Sequence, residues 1–173
     1  PEYDKDDSNH HDILRLEEDN YYGSDFAYMA ALICEYEEYY NKGGIILADR
    51  YTTSNAIYQL SKVANREKPS FLHWLDTYEY KQLQLPKPDA VIYLDMPVEV
   101  SQQLLAKRYN GDENKKDLHE KNFEFLKECR NSALYAAQIL NWNVVSCARN
   151  GKPRSIENIS DEVFELAKRE AEL

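Results

Sequence analysis

Ile45-Ile46-Leu47-Ala48-Asp49-Arg50-Tyr51-Thr52-Thr53-Ser54-Asn55-Ala56-Ile57-Tyr58 carries the clearest sign of the architecture. Four apolar residues follow Gly43-Gly44 without polar alternation, the pattern of a strand covered on both faces. Asp49 and Arg50 stand at its carboxyl end. Thr53 or Ser54 is placed to cap a helix that runs to about Ala64. The order strand, charged pair, helix is a half-turn of an α/β fold.

On either side of this stretch the same alternation recurs. Phe26 to Tyr40 reads as a helix with Ala27, Ala30, Ala31 and Leu32 and no Gly or Pro, ended by the glycine pair. After Lys68-Pro69-Ser70 a second helix is expected from about Phe71 to Leu83, with Phe71, Leu72, Leu75, Tyr78 and Leu83 inward. Leu85-Pro86-Lys87-Pro88-Asp89 is a rigid connector into a strand, Ala90 to Leu94, that ends at Asp95. Pro97 opens a helix through about Lys107. Tyr109 to Asp117 is rich in Asn, Gly, Asp and Lys and reads as a mobile loop. Leu118 to Leu140 is the longest helical stretch. Asn143 to Cys147 is a third strand, Arg149 to Arg154 a turn around Asn150-Gly151, and Ser155 caps a last helix to Lys168. Residues 1–24 are polar and read as a solvated loop or partly helical segment, in which the neighbouring His10 and His11 do not converge on one metal ion. The expected architecture is one α/β domain spanning residues 1–173, a parallel sheet with helices on both faces. Ligands of such sheets sit at the carboxyl ends of the strands, where Asp49 and Asp95 fall.

Composition narrows the function classes. The chain has 173 residues, 43% hydrophobic and 30% charged, enough for one packed core. Its net charge of −10 argues against a polynucleotide partner but not against a small phosphorylated ligand held by local arginines. No apolar run reaches the roughly 18–20 residues that span a bilayer, and no secretory pattern opens the chain. Cys34, Cys129 and Cys147 are odd in number and widely spaced, which suits buried thiols in a reducing cytoplasm.

A carboxylate and a guanidinium at the exit of a buried strand are costly unless they meet partners. The planar fork of an arginine suits phosphate oxygens, and an aspartate suits hydrated Mg2+. A plain surface ion pair would account for the dipeptide equally well. On the helix that follows, Asn55 and Tyr58 occupy adjacent parts of one face. An asparagine donates and accepts, as the edge of a pyrimidine requires. The alternative for these two is a capping-turn asparagine and a core tyrosine.

Asp49-Arg50-Tyr51 followed by Ser54-Asn55-Ala56 and Tyr58 resembles the central motif of thymidylate kinases. Leu85 to Asp89 with the strand to Leu94-Asp95-Met96-Pro97 resembles that family's Lys-Pro-Asp stretch and next strand. Pro1-Glu2-Tyr3-Asp4 resembles its Phe-Pro-x-Tyr segment, and Arg130 with Asn131 to Tyr135 its Arg…Tyr helix. The resemblance implies a P-loop kinase three-layer sandwich, usually a homodimer. It implies transfer of the ATP γ-phosphate to dTMP with Mg2+. Asp49 would serve the phosphate and metal end, Arg50 would bridge the acceptor phosphate and the transferring group, and Arg108 would stand near the phosphates. Tyr3, Tyr51, Ser54, Arg130 and Tyr135 would line the dTMP site. Asn55 would bond the thymine edge and Tyr58 would stand where a ribose 2′-hydroxyl would fall. Residues 109–117 would form the lid, with Lys115 and Lys116 near the phosphates, and Arg149 to Arg154, Lys152 included, would lie near the adenine. Another nucleoside or nucleotide kinase, or a non-catalytic binding module of the same fold, is the alternative.

The sequence also departs from the family. Nowhere does it contain G-x-x-x-x-G-K-S/T, the backbone cradle for a triphosphate. The family places that loop ahead of the segment matched by Pro1 to Asp4. Cys34 runs straight into Glu35-Tyr36-Glu37-Glu38 where the family continues with an Asp-Arg pair, its thymine-stacking aromatic would fall at Ile33, and the lid is short. We expect one cause, stretches of the protein that this sequence omits before Pro1 and after Cys34.

Overall fold

The computed structural model of the protein describes residues 13–17, 36–109 and 122–171. Ile13–Glu17 forms strand β1. A helical segment, residues 36–41 (α1), leads through Gly43-Gly44 into β2, Ile45–Asp49. Gly43 has φ 83°, a left-handed position that favours glycine. After β2 come α2 (Thr53–Tyr58), two single 3-10 turns (Leu60–Lys62 and Asn65–Glu67) and α3 (Lys68–Asp76), which continues into a π-helical turn, Thr77–Gln82. β3 (Ile92–Asp95) and α4 (Val98–Arg108) follow. α5 (Phe123–Leu140), β4 (Asn143–Ser146), the short strands β5 (Ala148–Arg149) and β6 (Lys152–Pro153), and α6 (Ile156–Glu170) complete the order.

The three anticipated strands are present, and β3 pairs with β4 in parallel, Ile92 opposite Asn143 and Asp95 opposite Ser146. Residues 13–17 overturn the reading of the first 24 residues as loop or partial helix. β1 runs parallel to β2, with Ile13 opposite Ile45 and Glu17 opposite Asp49. Leu14 and Leu16 alternate with Arg15 and Glu17 over only four positions, a period-two signal too brief to stand out among the surrounding charges. The described strands pair two by two, β1 with β2, β3 with β4 and β5 with β6 antiparallel. Parallel pairing and an α/β order therefore hold.

Complete cover of the strands does not. Leu47 on β2 is 51% exposed, Leu94 on β3 50% and Val144 on β4 44%, whereas Val145 is fully buried. β4 is thus packed on one side and open on the other, while β2 and β3 are half-buried with one exposed leucine each among the described residues. A continuous apolar run signals two-sided burial only when a layer lies on both sides.

The driest packing lies between helices. Ala56 of α2, Leu60, Leu72 and Leu75 of α3 and Ala136 of α5 form one buried cluster, with Phe71, Tyr135 and Trp142 packed against it. Small residues on α5 (Ser132, Ala133, Ala136, Ala137) let α2 approach closely. Leu72 and Leu75 face inward as the periodicity implies; Leu83 is exposed, because the π-helical turn resets the period before it.

Termini are set by specific groups. Ser155 Oγ accepts from Asn158 N at 3.2 Å and caps α6 as anticipated. Asn122 Oδ1 accepts from Phe125 N at 3.0 Å and caps α5, which starts five residues later than expected. Asn141 (φ 55°) ends α5 in a left-handed conformation. Asn150 (φ 52°) and Gly151 (φ 71°) make the two-residue β5–β6 turn, the positive-φ pair that hairpins prefer. Neither Thr53 nor Ser54 caps α2: the N-cap is Thr52, whose side chain makes no cap hydrogen bond, and α2 stops at Tyr58 rather than near Ala64. α3 begins at Lys68, ahead of the expected Phe71, with Pro69 in its first turn.

Candidate functional site

Asp49 is the last residue of β2 and Arg50 the first beyond it, and both are exposed. Arg50 has φ 70°, a left-handed conformation uncommon for a residue with a Cβ. Strain of this kind persists only where surrounding structure holds it, and here the chain must turn sharply from strand to α2. The turn sets the Arg50 guanidinium carbon 5.7 Å from the centre of the Tyr58 ring, one helix beyond.

The rest of the motif is bolted to a segment about thirty residues later. Tyr51 Oη donates to the Pro86 carbonyl at 2.9 Å. Thr52, 3% exposed, shares a 2.7 Å hydrogen bond with the Tyr80 hydroxyl. Asn55 Nδ2 donates to Glu79 Oε1 at 3.1 Å. The Lys-Pro-Asp connector is tied to the same place, since Lys87 Nζ lies 2.6 Å from Asp76 Oδ1 and 5.4 Å from the centre of the Tyr80 ring. The motif after β2 and the Lys-Pro-Asp connector are therefore one physical unit.

Burial shapes the titration of this unit. Glu79 is 2% exposed. Burial pushes its carboxyl up to about 7, against the opposing hydrogen bonds of Asn55 and Thr52. Burial likewise raises the Tyr80 hydroxyl to about 12 and the Tyr51 hydroxyl further, each with a smaller contribution from the neighbouring Glu79.

A second charged pair closes the end of β3. Arg130 of α5 grips Asp95 with two parallel hydrogen bonds, Nε to Oδ1 at 2.6 Å and Nη2 to Oδ2 at 2.8 Å. That bond raises the Arg130 guanidinium above its ordinary value. Tyr93 lies beside the pair; burial lifts its hydroxyl to about 12, Asp95 adds to the rise, Arg130 opposes it, and Tyr58 adds a little.

The anticipated site residues divide accordingly. Asp49, Arg50, Tyr51, Asn55 and Tyr58 come together with Ser54, which is half-buried and whose amide donates to Tyr51 O at 2.9 Å. Arg130 has most of its fork engaged by Asp95, and Tyr135 packs against the helical core. Arg108 is the exposed last residue of α4, its guanidinium 5.8 Å from the centre of the Tyr109 ring. Arg149 and Lys152 are exposed partners across the β5–β6 hairpin. Tyr3, Lys115, Lys116 and the lid beyond Tyr109, as well as the Cys34–Glu35 junction, lie outside the described residues. Cys129 and Cys147 are buried free thiols, as their surroundings in sequence imply. Among the described residues no group of three or more His, Cys, Asp or Glu gathers to hold a metal ion, and no helix is long and apolar enough to cross a membrane.

Sequence reasoning missed Glu79, Thr52 and Tyr80. A signal for Glu79 was present: it follows Leu72 and Leu75 at spacings of three and four, an acid on an apolar stripe. Nothing local marked its partner, Asn55.

The family model described as thymidylate kinase matches residues 14–159. The chain belongs to the thymidylate kinase family. Two curated relatives, both named thymidylate kinase and from two strains of Mycobacterium tuberculosis, are each 28% identical to it over 93 residues. The aligned stretch is 53% of this chain and 42% of each relative, so the chain spans less than half the length of the relatives it matches. Members of the family are phosphotransferases of the P-loop kinase fold, and the parallel strand pairs and flanking helices suit that fold.

Proposed function

We propose that this chain carries the acceptor-nucleotide side of a thymidylate kinase, which transfers the γ-phosphate of ATP to dTMP and yields dTDP. The observation that carries the reading is the family match over residues 14–159 together with Asp49 and Arg50 at the carboxyl end of a parallel strand. Ligands of open α/β folds gather at that end. Phosphoryl transfer needs in-line positioning and charge neutralisation more than covalent help. Arg50 bridges the acceptor phosphate and the transferring group, while Tyr51 and Ser54 shape the turn that aims it. Asn55 meets the thymine edge. Tyr58 occupies the volume a 2′-hydroxyl would need and so favours deoxyribose.

The exposed Asp49 carboxylate fits the donor chemistry of Mg2+, which takes one or two carboxylates and completes its shell with water and phosphate oxygens. Bound there, the ion would neutralise charge on the phosphate oxygens. Arg108, Lys115 and Lys116 belong to the phosphate end, and Arg149 and Lys152 to the adenine end. Arg130 is held by Asp95 and, with Tyr135, shapes the monophosphate pocket from α5. A three-layer sandwich, residues 1–173 as one domain with a lid near 109–117, a homodimer and a cytoplasmic setting complete the proposal. Small nucleotides rather than a polynucleotide or a membrane are its partners.

A coupled ADP-release assay on the full-length protein with dTMP, dUMP, UMP and dCMP tests the reading. A marked preference for dTMP is expected. Preference for a ribonucleotide would assign another nucleotide kinase, and dTMP binding without turnover would assign a binding module.

A further inference from the structure

A buried carboxylate that grips a primary amide decides which end of that amide faces away. Glu79 is held twice: its side chain accepts from Asn55 Nδ2 at 3.1 Å, and its main-chain carbonyl accepts from Leu85 N at 3.1 Å. Asn55 is likewise held through its main chain, donating to Thr52 O at 2.9 Å and accepting from Gln59 N at 3.0 Å. An ionised carboxylate has acceptors only, and a neutral one keeps its carbonyl oxygen as an acceptor. The amide nitrogen turns toward Glu79, which is 2% exposed; once that carboxyl is ionised, the reverse sense would set Oδ1 against a group that can only accept. Oδ1 of the half-buried Asn55 makes no hydrogen bond to any of the described residues.

We infer that Glu79 is a positioning residue that fixes the Asn55 amide with its oxygen toward the base, and thereby selects pyrimidines that carry a proton on N3. This rests on Asn55 being the base contact proposed above. Thymine offers N3–H to that oxygen. Cytosine offers a lone pair at N3, so two acceptors would meet and the hydrogen bond would be lost. Glu79 acts through Asn55 and touches no substrate.

The experiment measures kcat/KM for dTMP and dCMP above pH 7, where Glu79 is ionised, with the full-length protein and its variants. Glu79→Gln keeps the size of the side chain but can donate as well as accept, so the amide loses its fixed sense. The dTMP:dCMP preference should fall about tenfold, the value of one neutral hydrogen bond. The double variant Asn55→Asp with Glu79→Gln restores a one-way pair, glutamine donating and aspartate presenting its second oxygen, and should recover most of the preference. A merely structural Glu79 would predict no such rescue. Asn55→Ala separates the two levels. If it leaves the preference intact, the base contact itself fails and the proposal falls with it. If it collapses the preference while Glu79→Gln does not, the contact stands and the positioning role is overturned. A readout in the unmutated protein guards against variants that fail to fold. The Asn55 side-chain amide protons should exchange with solvent more slowly than those of the exposed Asn141, and equal exchange would overturn the grip.

Discussion

The helical side of the molecule and its strand ends are held by different forces. Between α2, α3 and α5 the contacts are dry: Leu60, Ala133 and Ala136 are fully buried. At the strands, Leu47, Leu94 and Val144 are exposed among the described residues, and α6 has no buried residue at all. The helix termini reflect the contrast. α2 does without a side-chain cap because its N-cap hydroxyl, on Thr52, is engaged by Tyr80, and packing stabilises the helix instead. α6 lacks that packing and keeps its serine cap. The candidate chemistry sits where the two regimes meet, with Arg50 on the open strand end and Asn55 on the packed helix. Rigid support beneath an exposed reactive edge is what positioning catalysis requires.

The largest effect should come from the dry side. Leu60→Ala removes a fully buried side chain beneath α2 and should lower unfolding free energy by roughly 2–5 kcal/mol. Leu47→Ala, on the half-open strand, should lower it by about 1 kcal/mol or less. Denaturant unfolding of both variants checks this, and equal losses would erase the contrast.

Arg50→Ala should have the next largest consequence, on turnover rather than folding. If Arg50 bridges the phosphates as proposed, its loss should lower kcat about 10²–10³-fold. The melting temperature should move little, since an exposed guanidinium over a ring contributes only about 0.5–1 kcal/mol. A large fall in melting temperature with unchanged turnover of the folded fraction would make Arg50 a structural ion.

Glu79 sharpens the boundary between the regimes through pH. Its folded carboxyl titrates near 7 and its ordinary value is 4.5, so between these the unfolded chain ionises while the folded one holds its proton. The unfolded state then binds fewer protons, and stability falls as pH rises through that window. Relative to Glu79→Gln, the unmutated protein should lose up to roughly 3 kcal/mol from pH 4.5 to 7 and little more above it. Parallel pH–stability curves for the two would remove the buried acid from the account.

The smallest effect expected is at Ser155. Ser155→Ala should destabilise by about 1 kcal/mol, through the lost hydrogen bond to Asn158 N. Hydrogen exchange should localise the change to the first turn of α6. If exchange instead rises throughout α5, the two regimes are more tightly coupled than their packing implies.

The features legible in the residues alone are local. The apolar runs at 45–48, 90–94 and 143–147, the glycine pair before β2, Pro97, Ser155 and Asn150-Gly151 each act within a few residues, so periodicity and turn chemistry revealed them. The motif Asp49 to Tyr58 was legible for the same reason, as a strand end followed by a helix start. β1 was not, because five residues with four in alternation carry little periodic signal. Partnership, by contrast, is set by packing. Asn55 meets Glu79 24 residues on, Tyr51 meets the Pro86 carbonyl 35 on, and Arg130 reaches back 35 to Asp95. Such pairs depend on how helices and strands pack, and a polar side chain looks the same in sequence whether a buried acid or solvent awaits it. The tertiary structure therefore turned a list of candidate residues into a graded set: Arg50 exposed at a strained turn, Asn55 gripped by a buried carboxylate, and Arg130 committed to an aspartate.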